Sequence, residues 1–221
     1  MPPYTFEDEI DLQHFRVTIF GSSRIKESET VYLQIYDLAK HIAARNIDIV
    51  TGGGPGLMEA ANKGHRDGRK NNECQSLGLN IKLPHEQQPN LHLDVYKEFD
   101  YFSSRLDTFM RLSNIVIVAP GGIGTMLEWL YSWQLVQVRH IHHLPIILLG
   151  EMWKGLITWM RKHPSQLGFI DEEDFEKLYI AHDNQEALVI IDQFHQAFLK
   201  GDVSQLDHGE KYRVNPKDED L

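Results

Sequence analysis

Short apolar runs alternate along the chain with longer stretches in which apolar residues recur at helical spacing. "RVTIF" (16–20) predicts a buried strand ending at "GSSR" (21–24). "SETVYLQIYDLAKHIAARN" (28–46) then predicts an amphipathic helix with Ser28 as its cap. "IDIV" (47–50) predicts a second strand that runs directly into "TGGGPG" (51–56), with a helix from about Leu57 to Arg69 behind it. "SLGLNIKL" (76–83) predicts a third strand. "IVIVA" (115–119), made of β-branched residues without a polar interruption, predicts a fourth. After it come "PGGIGT" (120–125), a helix from about Thr125 to Arg139, and the strand "PIILLG" (145–150). The remainder reads as helix from "EMWKGLITWMRKH", a short strand "KLYIA" and a last amphipathic helix over 183–199.

Strand, loop and helix in repeated succession predict an α/β protein. The expected fold is a Rossmann-like, doubly wound parallel sheet with helices on both faces, in a single domain. Right-handed crossovers bring the C-terminal ends of such strands to one edge, where open α/β sheets bind ligands. Residues 15–200 are expected to form this domain, with 1–14 as an extension and 201–221 as a polar tail. "GSSR", "TGGGPG" and "PGGIGT" each follow a strand and precede a helix, so all three are expected at that edge.

Glycine in a strand-to-helix turn has a structural use, because it takes positive φ without steric cost. It also has a chemical one. A missing Cβ lets an anion approach the unpaired N–H groups and positive dipole end of the following helix. "GGGPG" lacks the lysine of a P-loop and "GGIGTM" lacks the third glycine of a dinucleotide motif, which disfavours ATP hydrolysis and NAD chemistry but leaves a phosphate site. Thr125 supplies a hydroxyl donor or a helix cap. Glu128, three residues on, reads equally as a capping-box carboxylate or as a carboxylate beside a ligand. Arg105, in "DYFSSRLDTFM", acquires meaning only if its helix end faces the same edge.

The 221-residue chain carries 22 basic and 32 acidic residues, a formal charge of −10. That disfavours broad nucleic-acid binding, which depends on neutralising many phosphates, and leaves room for one small phosphorylated ligand. No apolar run is long enough to predict a membrane span. One cysteine, Cys74, and a start without signal-peptide character predict a reducing, cytoplasmic setting and no cysteine-rich metal site. The histidines of "RHIHH" (139–143) are accounted for as basic groups near a helix C-terminus, so no metal is expected. Trp129, Tyr131 and Trp133 alternate and cannot share one helical face, so core packing plus a subunit contact is expected of them.

"GGGPGLMEAANKG" (52–64) together with "PGGIGTMLE" (120–128) resembles the two signature motifs of the LOG (Lonely Guy) family. Its members are cytokinin riboside 5′-monophosphate phosphoribohydrolases, also called lysine decarboxylase-like. The likeness runs from about Val17 to Phe198 and includes "FGSSR", "YFSSR" and "WKGLITWM", as in the longer bacterial branch. It implies a Rossmann-like enzyme, usually dimeric with larger assemblies open. Such an enzyme hydrolyses the N-glycosidic bond of a purine nucleoside 5′-monophosphate without a cofactor, giving free base and ribose 5-phosphate. By the same resemblance, the catalytic pair falls on Arg105 and Glu128. The phosphate loop falls on Gly121, Gly122, Gly124 and Thr125. Gly21, Ser22, Arg24, Gly52, Gly53, Gly54, Met58, Asn62 and Glu86 contribute to the nucleotide pocket.

The chain departs from the family pattern at Leu106, where lysine is usual, and at Leu127, which is often acidic. No segment presents a pyridoxal phosphate lysine site, so the decarboxylase label has no chemical support. The alternative is a non-catalytic module of the same fold that binds a nucleotide or molybdenum cofactor. Such a module would also use glycine loops for phosphate. The proton donor to a departing base is left open among Asp100, Asp107 and water.

Overall fold

The computed structural model describes residues 14–70, 73–83, 88–141 and 144–201. Seven strands form one all-parallel sheet: β1 (Arg16–Phe20), β2 (Asp48–Thr51), β3 (Ser76–Ile81), β4 (Val95–Phe99), β5 (Ile115–Val118), β6 (Ile146–Leu149) and β7 (Leu178–Ala181). Their order is β4-β3-β2-β1-β5-β6-β7. The order reverses between β1 and β5, which makes that crevice the place where an open sheet of this type receives a ligand. The doubly wound α/β expectation holds.

The helices are α1 (Thr30–Ala43), α2 (Leu57–Gly68), α3 (Phe102–Leu112), α4 (Ile123–Gln137), α5 (Lys154–Met160), α6 (Glu172–Phe175) and α7 (Asn184–Leu199). Because side chains alternate across a strand, the core divides into two layers. Ile117 of β5 packs with α1, α2 and α7, while its neighbours Val116 and Val118 pack with α3, α4 and α5. Almost every central-strand residue is buried, as two covered faces require.

Three local expectations change. α1 begins at Thr30, and Glu29 rather than Ser28 occupies its cap position, where the Glu29 carboxylate accepts from Lys26 N–H at 2.7 Å. β4 was not expected, because "VYKEF" alternates buried and exposed positions with charge between them, the signature of an edge strand. The stretch after Gly150 is a 3-10 turn (Glu151–Trp153), α5 and a π turn (Arg161–Ser165) rather than one helix. Pro164 inside that last turn removes a helical N–H.

The register of β2 and β3 bears on the site. Ile49 N–H donates to Gln75 O, and Thr51 is the last β2 residue paired, opposite Gly78. Stepping two residues along this ladder, Gly53 N–H would next meet Leu79 O. It does not. Gly53 has φ +71° and its N–H turns back to Thr51 Oγ1 at 3.0 Å. The Leu79 carbonyl is left for another donor.

Candidate active site

That donor is Arg105. Its Nε–H donates to Leu79 O at 2.7 Å, from the first turns of α3. Its Nη1 meets Glu128 Oε1 at 3.0 Å, and its guanidinium carbon stands 5.0 Å from the centroid of the buried Phe109 ring. The remaining side is against Gly52, where a Cβ would lie 2.5 Å from Arg105 Nη2 and 2.6 Å from Met58 Sδ. A side chain there would have to push the end of Arg105 or Met58 aside. Four of the expected site residues, Arg105, Glu128, Gly52 and Met58, therefore meet directly.

Glu128 reaches Arg105 because α4 is locked in rotation. The next residue, Trp129, is fully buried, with its ring 5.3 Å from Trp153 and 6.1 Å from the stacked ring of Trp133. Trp153 is itself fixed by its indole N–H on Val118 O at 2.9 Å. Tyr131 is half-buried at the edge of this core layer, and its hydroxyl donates to Asp107. The capping-box alternative for Glu128 is not realised: the cap position is Gly122, no side chain caps α4, and the carboxylate is spent on Arg105.

Both members of the pair are largely withdrawn from water, with side-chain exposures of 8% for Arg105 and 13% for Glu128. Burial pushes the Glu128 carboxyl up to about 7, outweighing the pull of Arg105 toward the charged form. Burial also lowers Arg105, which remains a cation at neutral pH as guanidinium groups do. The site thus holds a fixed positive charge against a carboxyl poised to ionise near neutrality.

The three loops are tied together through main-chain groups. Ser22 N–H donates to Pro120 O at 3.1 Å across the β1–β5 crevice, and Ser22 O accepts the first N–H of α2, from Leu57, at 2.9 Å. Gly56 makes this approach feasible: it has φ +71°, and a Cβ there would stand 2.5 Å from Ser22 O. Gly21 packs against Leu57, and the exposed Arg24 donates its N–H to Ser22 Oγ at 3.2 Å. At the third loop Gly121 leaves space for the buried Thr125 side chain, whereas Cβ atoms at Gly122 and Gly124 would meet nothing within 4 Å. The exposed start of α4, uncapped and facing open space, can accept an anion on its N–H groups.

Asn62 stands behind the first glycine loop. It is fully buried, and its amide bonds Thr51 Oγ1, Ser76 Oγ and Asn90 Nδ2 at 2.8–2.9 Å, so it braces the loop from behind. Asn90, which sequence reasoning missed, completes the brace by donating Nδ2–H to Gly53 O and Gly54 O at 3.1 and 3.0 Å. Leu106 is buried on α3. Asp100 is engaged by Lys82 at 2.7 Å and Asp107 by Tyr131. Glu86, His142 and His143 lie outside the described residues. Among the described residues no group of three or more histidine, cysteine or acidic side chains is arranged to hold a metal.

Glycine loops joined at the switch point of a parallel sheet, beside an open helix start and a buried Arg–Glu pair, make a Rossmann-like α/β protein with a candidate phosphate site and reaction centre. The family model described as "Possible lysine decarboxylase" matches residues 58–191, more than half of the chain. The chain belongs to that family, the LOG family.

Over 140 residues it is 29% identical to the pyrimidine/purine nucleotide 5′-monophosphate nucleosidase of Escherichia coli K12, covering 61% of this chain but 30% of that protein. Over 185 residues it is 28% identical to the probable cytokinin riboside 5′-monophosphate phosphoribohydrolase LOGL3 of Oryza sativa subsp. japonica, covering 81% of this chain and 84% of that one. The molybdenum cofactor binding protein of Rippkaea orientalis has the same fold. It superposes with a TM-score of 0.64 at 18% identity, over 83% of this chain and 99% of that chain.

Proposed function

We propose that the protein hydrolyses the N-glycosidic bond of a purine nucleoside 5′-monophosphate, AMP or a cytokinin riboside monophosphate, releasing the free base and ribose 5-phosphate. One observation carries this reading: the buried Arg105–Glu128 pair stands at the same sheet edge as an uncapped, open helix start. The printed activities of the nucleosidase and of the rice relative are of the same kind.

Rupture of the C1′–N bond leaves positive charge on the ribose, and the electron pair departs with the base. Water adds to C1′, loses a proton, and the base gains one. A carboxylate that ionises near pH 7 is suited to face that ribose or to receive the water proton. Arg105 holds Glu128 in place and offers its remaining N–H groups to the ribose or phosphate. Gly121, Gly122, Gly124 and Thr125 anchor the 5′-phosphate, so that its binding energy aligns the bond to be broken.

The test is a panel of nucleoside 5′-monophosphates and the corresponding nucleosides, scored for free base by chromatography. Release from the monophosphates, with nucleosides far slower, is the expected result. Equal rates would contradict the phosphate anchor, and tight binding without release would favour a carrier module.

The working unit is read as a homodimer. α4 turns Ile123, Leu127 and Leu130 toward solvent, with exposures of 83%, 46% and 40%, and Val138 at its C-terminal cap is 59% exposed. Apolar side chains at such spacing suit a helix-to-helix subunit contact. Light scattering of the purified protein tests this, and a monomeric mass would reject it. The buried, free thiol of Cys74 accords with a reducing cytoplasm.

A further inference from the structure

We propose that Phe109 is a positioning residue for Arg105: its ring carries the guanidinium, while the bare backbone of Gly52 makes room for the Nη2 end, in the orientation that meets Glu128. The proposal rests on reading Arg105 and Glu128 as the reacting pair, and adds what holds them.

The guanidinium has four neighbours, and each restricts a different motion. The Leu79 carbonyl fixes Nε at 2.7 Å, which anchors the base of the planar group. That single bond leaves the plane free to swing about it. Phe109 lies under the plane at 5.0 Å, and the electron-rich ring face favours a cation that stays over it. The ring cannot yield, because it is fully buried and its centroid is 5.0 Å from that of Phe20, at an interplanar angle of 79°. Gly52 bounds the Nη2 end: a Cβ there would stand 2.5 Å from Nη2 and 3.8 Å from the guanidinium carbon, nearly in line with the bond between them. With the ring on one face and Nη2 against the glycine, Nη1 meets Glu128 Oε1 at 3.0 Å. Phe109 sits four residues after Arg105 on α3, so one turn of helix supplies both cation and platform.

The test reads the Glu128 carboxyl directly, by carbon NMR of glutamate-labelled protein through a pH titration, together with kcat and KM. Arg105 is the charged group acting on Glu128, and it favours the ionised form. If the clamp is real, Phe109→Leu loosens Arg105 and raises the Glu128 midpoint by about one unit, as loss of a close opposite charge does. It also lowers kcat by about tenfold to a hundredfold with KM little changed, the scale of a misplaced catalytic group. Gly52→Ala raises the midpoint in the same way by pushing Nη2 aside, and serves if Phe109→Leu fails to fold.

Phe194→Leu is the control, since Phe194 is buried on the opposite face of the sheet, its ring 5.7 Å from that of Tyr179, in a core layer that holds neither member of the pair. It should lose stability yet leave the Glu128 titration unchanged. The proposal is overturned if a folded Phe109→Leu, or Gly52→Ala in its place, titrates like wild type, or if Phe194→Leu shifts the midpoint equally. Should wild type release no base from any nucleotide, the hydrolase reading falls while the titration still decides the clamp.

Discussion

Arg105 and Glu128, 23 residues apart on separate helices, are joined by a 3.0 Å ion pair in which the carboxyl is held near its ionisation point. The geometry makes the pair sensitive to isosteric change. Glu128→Gln keeps the shape and removes the charge, so base release should fall by roughly a hundredfold or more, the range for loss of a positioned acid or base. Undiminished release by a well-folded variant would sink the assignment.

The same carboxyl leaves a mark on stability. Its folded pKa of about 7 lies above the ordinary 4.5, so the folded state binds the extra proton between those values and stability falls as pH rises through them. Buried His65 acts oppositely. Its ring bonds Ile47 O at 2.8 Å, and burial lowers its pKa from 6.5 to about 4, so its contribution is lost as pH falls through that window. Each slope amounts to about 3 kcal/mol at most, and the two nearly cancel. Urea midpoints between pH 4.5 and 7 should be close to flat in wild type and should rise with pH in Glu128→Gln. A flat profile in that variant would contradict the opposing pair.

Two glycines should separate structure from ligand binding. Gly56→Ala puts a Cβ against Ser22 O at positive φ and should cost roughly 2 kcal/mol or more. Gly124→Ala meets nothing within 4 Å in the first turn of α4. It should stabilise the fold by up to about 1 kcal/mol, as alanine does in a helix. If the helix start anchors phosphate, the same substitution weakens nucleotide binding. Thermal melts and a binding isotherm check both halves.

Asn62→Ala removes a buried amide with three partners and should destabilise by about 1–3 kcal/mol, because Thr51, Ser76 and Asn90 lose their mate. Denaturant titration measures it. A change below about 0.5 kcal/mol, the surface-substitution range, would show that the brace is dispensable.

The apolar periodicities revealed the sheet, the helix order and the three edge loops because covered strands and amphipathic helices write their burial into sequence. β4 escaped notice because an edge strand with exposed Tyr96 and Glu98 on one face, and Lys97 between Val95 and Phe99 on the other, lacks a continuous apolar signal. Arg105 and Glu128 were legible through the motifs that contain them. Their support was not. Asn90 acts on residues 36 and 37 positions away, and Leu79 contributes a carbonyl, which every residue type has. No local pattern marks either one.

The turn of Gly53 away from Leu79 has a wider consequence. Arg105 occupies a vacated rung of the sheet, where main chain would otherwise continue the ladder. The candidate site is thereby coupled to strand length. Any change that let β2 zip one pair further would compete with the arginine for its anchor, and could silence the site without touching either charged side chain.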